Sequence, residues 1–188
     1  MPAFDQLILT THRLRLRPYR ASDADALFAI YSDARVMRYW SHPPWLAIDK
    51  AHEMIAKDAA QLAAGEHLRL GIETIHDAKL IGHCSLFNFN VQCQRCDMGY
   101  SMAFDAWGHG YMHEALTAVL NYGFSELALN RVEADIDPRN AASAKTLVRL
   151  GFQSEGLLRE RWIVDGEVSD SGLYGLLRRD WLSRTEVP

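Results

Sequence analysis

Apolar and polar residues recur along this chain with two periods, one typical of strands and one typical of helices. Residues 7–18 are predicted to form the first strand, because Leu14 and Leu16 alternate with a basic row that we expect to be solvated: Arg13, Arg15 and Arg17. Ser22 is predicted to cap the first helix, whose buried side has four large residues: Leu27, Phe28, Ile30 and Tyr31. The chain therefore begins with a half-exposed strand followed by a helix.

The middle of the chain is predicted to form a helix and a meander of strands. Residues 48–64 are rich in alanine and charged residues, which indicates a helix that ends at Gly65. Three strands follow, with predicted bounds of 68–74, 80–89 and about 97–104.

The C-terminal half continues with alternating helices and strands. After residue 110, apolar residues recur at helical spacing: Ala115, Leu116, Val119, Leu120 and Phe124. A short strand over 131–137 leads to a helix capped by Asn140 and closed by Gly151, with three residues predicted to face inward: Ala144, Leu147 and Val148. The dipeptide Asp165-Gly166 predicts a hairpin between two last strands, 157–164 and 168–177.

These elements together predict an α/β fold, with helices flanking a mixed sheet. The 188 residues are long enough to bury a full core, contain no internal repeat and show no convincing linker. We therefore expect one domain over residues 1–188.

Composition and charge narrow the class of protein. A hydrophobic content of 48% with 23% charged residues excludes disorder as the main state. The formal net charge of −4 argues against a nucleic-acid partner. No apolar run has the length of a membrane span, and the N-terminus lacks a signal-peptide pattern, so we expect a cytoplasmic protein without a membrane partner.

The three cysteines favour reduced thiols over a disulfide scaffold. Cys93 and Cys96 form a CxxC pair, and His83 and Cys84 precede it. A metal knuckle is an alternative if a hairpin brings these groups together, but four well-placed ligands are required. We expect no metal.

A glycine-rich turn lies where a strand changes into a helix. Gly108 and Gly110 stand between the strand predicted to end near Phe104 and the helix that follows. Glycines allow a ligand to approach the backbone, and the unpaired amides at a helix start attract phosphate. A plain turn without a ligand is the alternative.

Two motifs resemble those of the GNAT superfamily of acyl-coenzyme A N-acyltransferases, and of its Rim-type branch of ribosomal-protein alanine N-acetyltransferases in particular. They are WGHGYMHEAL at residues 107–116 and ADIDPRNAASAKTLVRLGFQSEGLLRERW at residues 134–162. The resemblance implies a mostly antiparallel sheet that splays between the fourth and fifth strands. It also implies that acetyl-CoA donates an acetyl group to a primary amine.

The resemblance assigns residues to the coenzyme. Main-chain groups of three residues would hold the pantetheine arm: Met102, Ala103 and Phe104. Five amides would hold the pyrophosphate: Gly108, His109, Gly110, Tyr111 and Met112. Asn140 would contact pantetheine or only cap its helix. The family often has Gln or Arg where this chain has Asp105, so we expect that carboxylate to point outward, with His109 or His113 as alternative helpers.

The reaction needs a base for the amine and an acid for the leaving thiolate. Asp97 and Glu160 are the two candidate bases, and for each of them a surface ion pair is the alternative role. In the Rim-type branch a serine at the position of Ser143 faces the coenzyme sulfur, although serine is also common in the first turn of a helix. A backbone amide near Met102 or Ala103 would stabilise the oxyanion.

Residues 36–45 are aromatic, carry two prolines and are predicted to lack regular structure. They form either a core plug or a wall of the acceptor site, with Tyr39, Trp40 and His42 as substrate-binding candidates. The resemblance suggests a peptide N-terminus as acceptor. The alternatives are a small amine, such as a polyamine, an amino acid or an aminoglycoside, and a non-catalytic acyl-CoA-binding module. A monomer and a homodimer both remain open.

Overall fold

The structure, a computed structural model, describes residues 1–184, and within that range the chain forms eight strands and six helices. The strands are β1 Leu9–Thr10, β2 Leu14–Arg17, β3 Leu68–Thr74, β4 Leu80–Asn90, β5 Arg95–Met102, β6 Arg131–Ile136, β7 Gln153–Val164 and β8 Glu167–Leu177. The helices are α1 Ala24–Ser32, α2 Ala34–Met37, α3 Asp49–Ala64, α4 Tyr111–Ser125, α5 Ala141–Arg149 and α6 Arg178–Ser183. The predicted first strand is two short strands, and α2 and α6 are helices that the sequence pattern did not predict.

The strands form one sheet in the order β1-β2-β3-β4-β5-β6-β8-β7. All neighbours are antiparallel except β5 and β6, which confirms the predicted mixed, mostly antiparallel sheet. Within the described residues, β5 and β6 pair only from Arg95 with Arg131 to Asp97 with Glu133. Beyond these three pairs β5 and β6 are not paired with each other, so the sheet opens into a gap where the splay was predicted.

Helices cover both faces of the sheet. Successive residues of a strand point to opposite faces. In β4, Cys84 is buried in the core cluster that includes α4, whereas His83 contacts Tyr31 of α1. The sheet therefore lies between α4 on one face and α1 on the other.

Two predicted details at helices are wrong. Ser22 does not cap a helix, because it lies inside a short 3-10 turn, Ala21–Asp23, in which the carboxylate of Asp23 accepts the amide of Arg20 at 2.6 Å. Helix α1 then begins at Ala24. Val148 is 61% exposed, because the narrow apolar stripe of α5 buries Leu147 alone among its residues.

The basic row of the first strand is not a uniformly solvated face. Arg17 is only 3% exposed and lies between two buried carboxylates. Its guanidinium donates to Asp23 at 2.7 and 3.0 Å and to Glu73 at 2.6 and 2.8 Å. Pairing with residues distant in sequence therefore overrides the prediction for this arginine.

Replacing Arg17 with Met is expected to lower the free energy of unfolding by about 3–5 kcal/mol, because buried Asp23 loses its ion-pair partner and Glu73 loses the nearest of its three arginines. Urea denaturation measures this change. Arg15→Met is the matched control, since Arg15 is half-exposed and touches Glu73 at 3.2 Å; its effect should stay within about 1 kcal/mol. Equal losses in both variants would contradict the assignment.

Candidate active site

The glycine turn adopts the backbone that its sequence predicts. After β5, residues Phe104–Ala106 form a 3-10 turn, and α4 begins at Tyr111. Gly108 and Gly110 have φ of 78° and 77°, in the left-handed region that favours glycine. A side chain at Gly108 would meet no protein atom within 4 Å, so the turn is open on that side.

The amides of this turn are unpaired. Within the described part of the chain, the amides of residues 108–112 donate no hydrogen bond to another protein group. They stand at the partly positive end of a helix of fifteen residues. The turn can therefore bind a phosphate or pyrophosphate through main-chain donors.

Two main-chain groups at the end of β5, where the pantetheine arm is predicted to bind, already have partners within the protein. The Ala103 amide donates to the Ile81 carbonyl at 2.8 Å, and the Met102 carbonyl accepts the Trp107 indole at 2.7 Å. Neither group is free to bind a ligand. Main-chain groups alternate between the two sides of a strand. The amide and carbonyl of Tyr100 and the amide of Met102 therefore face the gap.

Asp105 lies outward, as expected from its position in the motif. Its exposed carboxylate pairs with Lys79 at 2.8 Å. That pair lowers the pKa of Asp105 and neutralises the charge nearest to the turn. The acidic residue therefore does not oppose an anion at the amides.

Arg13 is a residue of the turn that the sequence did not reveal. Its guanidinium donates to the carbonyl of His109 at 2.9 Å, pairs with Glu114 at 2.7 Å and lies 4.5 Å from the centre of the Tyr111 ring. Glu114 also accepts the Arg13 amide at 2.9 Å and the Thr11 hydroxyl at 2.6 Å. Strand β2 is thereby fastened to the first turn of α4, and the glycine turn is held from one side.

The two histidines of the turn differ in their surroundings. His109 is exposed and stacks on Tyr111 with ring centres 5.7 Å apart. Burial lowers the pKa of His113, and the charges of Arg149 and Arg184 lower it further. The Nδ1 atom of His113 is buried without a partner, so the structure offers no charged helper there.

Helix α5 presents two of the predicted residues to the gap. The Asn140 side chain accepts the Ser143 amide at 3.1 Å, which confirms the predicted cap. The hydroxyl of Tyr100, in β5, donates to the Ser143 carbonyl at 3.4 Å and holds this first turn against the sheet. Burial raises the pKa of Tyr100 to about 12, so its hydroxyl stays protonated at neutral pH.

A cleft of about 610 Å³ opens at the gap between β5 and β6. Six predicted site residues line it: Tyr39, Trp40, His42, Asp97, Asn140 and Ser143. Alternate residues of a strand share a face, so Asp97 lies on the same face as Ser101, which contacts His83 on the α1 side of the sheet. Tyr100 lies on the opposite face, where it contacts α5. The cleft therefore joins the two faces of the sheet.

Glu160 does not belong to this cleft. It is exposed, has a φ of 52° in an irregular part of β7, and its amide donates to Asp170 at 2.8 Å. The extra residues in this strand turn Glu160 away from the site. The structure therefore brings only one of the two predicted bases together with Ser143.

The surroundings of Asp97 alter its acidity. Burial raises the pKa of Asp97, and the nearby carboxylates of Glu133 and Asp135 raise it further. A hydrogen bond from the Asn88 amide group, at 2.8 Å, opposes the rise. A carboxylate with a raised pKa accepts protons more readily than an exposed one.

The aromatic segment is both a plug and a wall. Tyr31 is fully buried, stacks on Trp45 with ring centres 4.3 Å apart and meets the edge of Trp40 at 5.5 Å. Tyr39 and His42 lie in the same segment and line the cleft. Trp40 does both, because it packs on Tyr31 and also lines the cleft, so the two alternatives from the sequence are not exclusive.

The described residues offer no metal-binding cluster, and two of the three cysteines are buried. Cys84 and Cys96 are buried, and burial raises the pKa of both thiols, whereas Cys93 is exposed. Over residues 1–184, no three His, Cys, Asp or Glu side chains cluster closely enough to bind a metal ion. Over the same range, no helix has both the length and the apolar content needed to span a membrane.

Comparisons with known proteins show what this chain resembles. The acetyltransferase (GNAT) domain family matches residues 13–153. The uncharacterized N-acetyltransferase p20 of Bacillus licheniformis is 34% identical over 173 residues, which cover 92% of this chain and 97% of that protein. The ribosomal protein uS5-alanine N-acetyltransferase of Escherichia coli strain K12 is 30% identical over 182 residues, which cover 92% of this chain and 92% of that protein.

A solved structure shows the same fold at lower identity. It is spermidine N-acetyltransferase from Vibrio cholerae in complex with CoA and spermine. The TM-score is 0.80 at 22% identity, over 92% of this chain and 99% of that chain. This likeness establishes the fold alone.

Proposed function

The chain belongs to the GNAT family of acetyltransferases, and from that premise we propose that it transfers the acetyl group of acetyl-CoA directly to the α-amine of a protein or peptide that begins with Ser or Ala. The observation that carries the proposal is the single cleft that joins Asp97, Ser143 and the aromatic loop at the open end of the gap. The residues that we assign as base, acid and acceptor wall therefore line one cleft.

The residues present fit coenzyme A. The unpaired amides of residues 108–112 suit its pyrophosphate, and the main-chain groups of Tyr100 and Met102 that face the gap suit its amide-bearing arm. The Asn140 side chain uses its oxygen as a helix cap, which leaves its NH₂ group for the ligand. When bound, the coenzyme supplies the acetyl group as a reactive thioester.

Asp97 is the residue that we assign as general base. It lies on the acceptor side of the gap, and its raised pKa brings it closer to that of the amine. An α-amine has a pKa of about 8, compared with about 10.4 for a lysine side chain. Removing a proton from an N-terminal amine is therefore the easier task for a carboxylate.

Ser143 is the residue that we assign as proton donor to the leaving sulfur. It lies in the first turn of α5, across the gap from Asp97, and its position is fixed by Asn140 and Tyr100. The amides of Tyr100 and Met102 that face the gap are the hydrogen-bond donors available to the acetyl oxygen. The base and the acid thus act from opposite faces of the sheet.

The uS5-alanine relative supports a peptide N-terminus as acceptor. A small amine, such as a polyamine, is the second candidate. Two observations favour it: Asp97 and Asp135 both line the cleft, and the spermidine acetyltransferase shares the fold. The paired catalytic candidates argue against a module that only binds acyl-CoA.

Acetyl-CoA-dependent thiol release with a panel of acceptors tests the proposal. We expect turnover of peptides with free Ser or Ala at the N-terminus, and none when the α-amine is blocked. Turnover of spermidine alone would transfer the function to the second candidate. Coenzyme binding without thiol release from any acceptor would indicate a binding module.

Replacing Arg13 with Gln is expected to raise the KM for acetyl-CoA about tenfold, because one charge-assisted support of the glycine turn is lost. The kcat should change much less, since Arg13 is remote from Asp97 and Ser143. Steady-state kinetics with saturating peptide measures both values. Arg15→Gln, two residues further along the chain in β2, is the control, and an equal rise in KM there would refute a specific role for Arg13.

A further inference from the structure

Two of the positive charges at the cleft have no carboxylate partner among the described residues. Three arginines line it: Arg38, Arg139 and Arg161. Arg139 pairs with Asp137 at 2.6 Å and with Glu167 at 2.5 Å. Among residues 1–184, no carboxylate lies within ion-pair distance of Arg38 or Arg161.

The two free arginines approach the cleft from different elements. Arg38 follows α2, and its guanidinium lies 5.2 Å from the centre of the Tyr39 ring. Arg161 belongs to β7, in the C-terminal hairpin. Both side chains are exposed, so they border the cleft where it meets solvent.

Over residues 1–184, five carboxylates line the cleft, and only Asp165, in the turn between β7 and β8, lies in the same hairpin as Arg161 without an arginine partner; Asp137 and Glu167 are paired with Arg139. Asp97 and Asp135 belong to the strands that border the gap, and Asp135 accepts the Ser171 hydroxyl at 2.9 Å. An ammonium group is therefore attracted to the gap, while an anionic group of the same acceptor is attracted to Arg38 and Arg161. Guanidinium binds carboxylates through two parallel hydrogen bonds, which gives such a contact specificity.

We propose that Arg38 and Arg161 select peptides that carry acidic side chains immediately after the N-terminal Ser or Ala. This inference rests on the proposed function, because it requires the α-amine of a peptide at Asp97. The backbone of an extended peptide advances about 3.3 Å per residue, so the second and third residues lie outside the gap, toward the rim. A polyamine has no group for these arginines.

Two peptides that differ only at positions two and three test the inference. One begins Ser-Glu-Glu and the other Ser-Gln-Gln, which has nearly the same shape without the charge. We expect kcat/KM to be about tenfold higher for the acidic peptide at low ionic strength, and the ratio to fall as salt screens the charges. Arg38→Gln and Arg161→Gln should each reduce the ratio.

Arg159→Gln is the matched control. Arg159 is exposed on the same strand as Arg161 and lies outside the cleft, so the preference should survive its removal. Equal kcat/KM for the two peptides in the unmodified protein would overturn the inference and leave the proposed function standing. Turnover of neither peptide, with turnover of spermidine, would overturn the proposed function and this inference with it.

Discussion

Replacing Gly110 with Val is expected to weaken coenzyme A binding by on the order of 100-fold or more. The backbone at Gly110 has a φ of 77°, which a β-branched residue adopts only with strain. An added Cβ would meet the Arg13 guanidinium at 3.6 Å, an ordinary van der Waals contact, so the expected loss comes from the backbone strain and not from a steric clash. The free amides would then lose the arrangement that suits a pyrophosphate. Isothermal titration with coenzyme A measures the change.

Gly166→Val separates the loss of the site from general backbone strain. Gly166 has a φ of 83° in the turn between β7 and β8, remote from the coenzyme amides. Its replacement imposes a similar strain without touching the glycine turn, so coenzyme affinity should be retained. If Gly110→Val bound coenzyme A as tightly as the unmodified protein, the anion site would lie elsewhere.

Replacing Asp97 with Asn is expected to lower kcat by about 10²- to 10⁴-fold, because the amide cannot accept a proton from the amine. In the unmodified protein, activity should fall as pH decreases through the raised pKa of Asp97, where the carboxylate becomes protonated. The acceptor amine adds its own loss of activity below about pH 8. The unmodified protein should therefore lose activity more steeply at low pH than Asp97→Asn, in a pH profile of kcat.

Stability and a second carboxylate serve as controls for Asp97. Its pKa is raised in the folded protein, so the ionised form is disfavoured there, and Asp97→Asn should be at least as stable as the unmodified protein at neutral pH. Glu160→Gln should retain full activity, because Glu160 lies outside the cleft. A large loss of kcat in Glu160→Gln with none in Asp97→Asn would reverse the assignment of the base.

Local patterns in the sequence predicted most of the fold. The helix cap at Asn140, the left-handed Gly110 and the hairpin at Asp165-Gly166 depend on neighbouring residues alone, and the structure contains each of them. The order of elements, together with the motif resemblance, was sufficient to predict the gap in the sheet. A helix cap or a tight turn is determined by a few neighbouring residues, so it can be predicted from one sequence.

Contacts between distant residues were beyond sequence reasoning. Arg13 and Arg17 stand in the same basic row, yet one holds the glycine turn through Glu114 and the other is buried against Glu73. Both partners are separated from these arginines by more than fifty residues. No spacing rule connects such pairs, and only the register of the sheet and the packing of α4 bring them together.

The choice between the two candidate bases could not be made from the sequence, because it depends on how regularly each strand is paired. Asp97 and Glu160 are both acidic residues on strands, and both belong to segments near the motifs. An irregularity in β7 turns Glu160 outward, whereas regular pairing directs Asp97 toward the α1 face of the gap. Similarly, the amide of Ala103 is paired because of the register between β4 and β5.

The most direct test of the account is to locate the acetyl group on a reacted peptide. A peptide with free Ser at its N-terminus and a Lys further along would be incubated with acetyl-CoA and the protein, then fragmented in a mass spectrometer. We expect one acetyl group, on the α-nitrogen of the first residue. An acetyl group only on the lysine side chain, or no acetylation of the peptide while spermidine is acetylated, would contradict it.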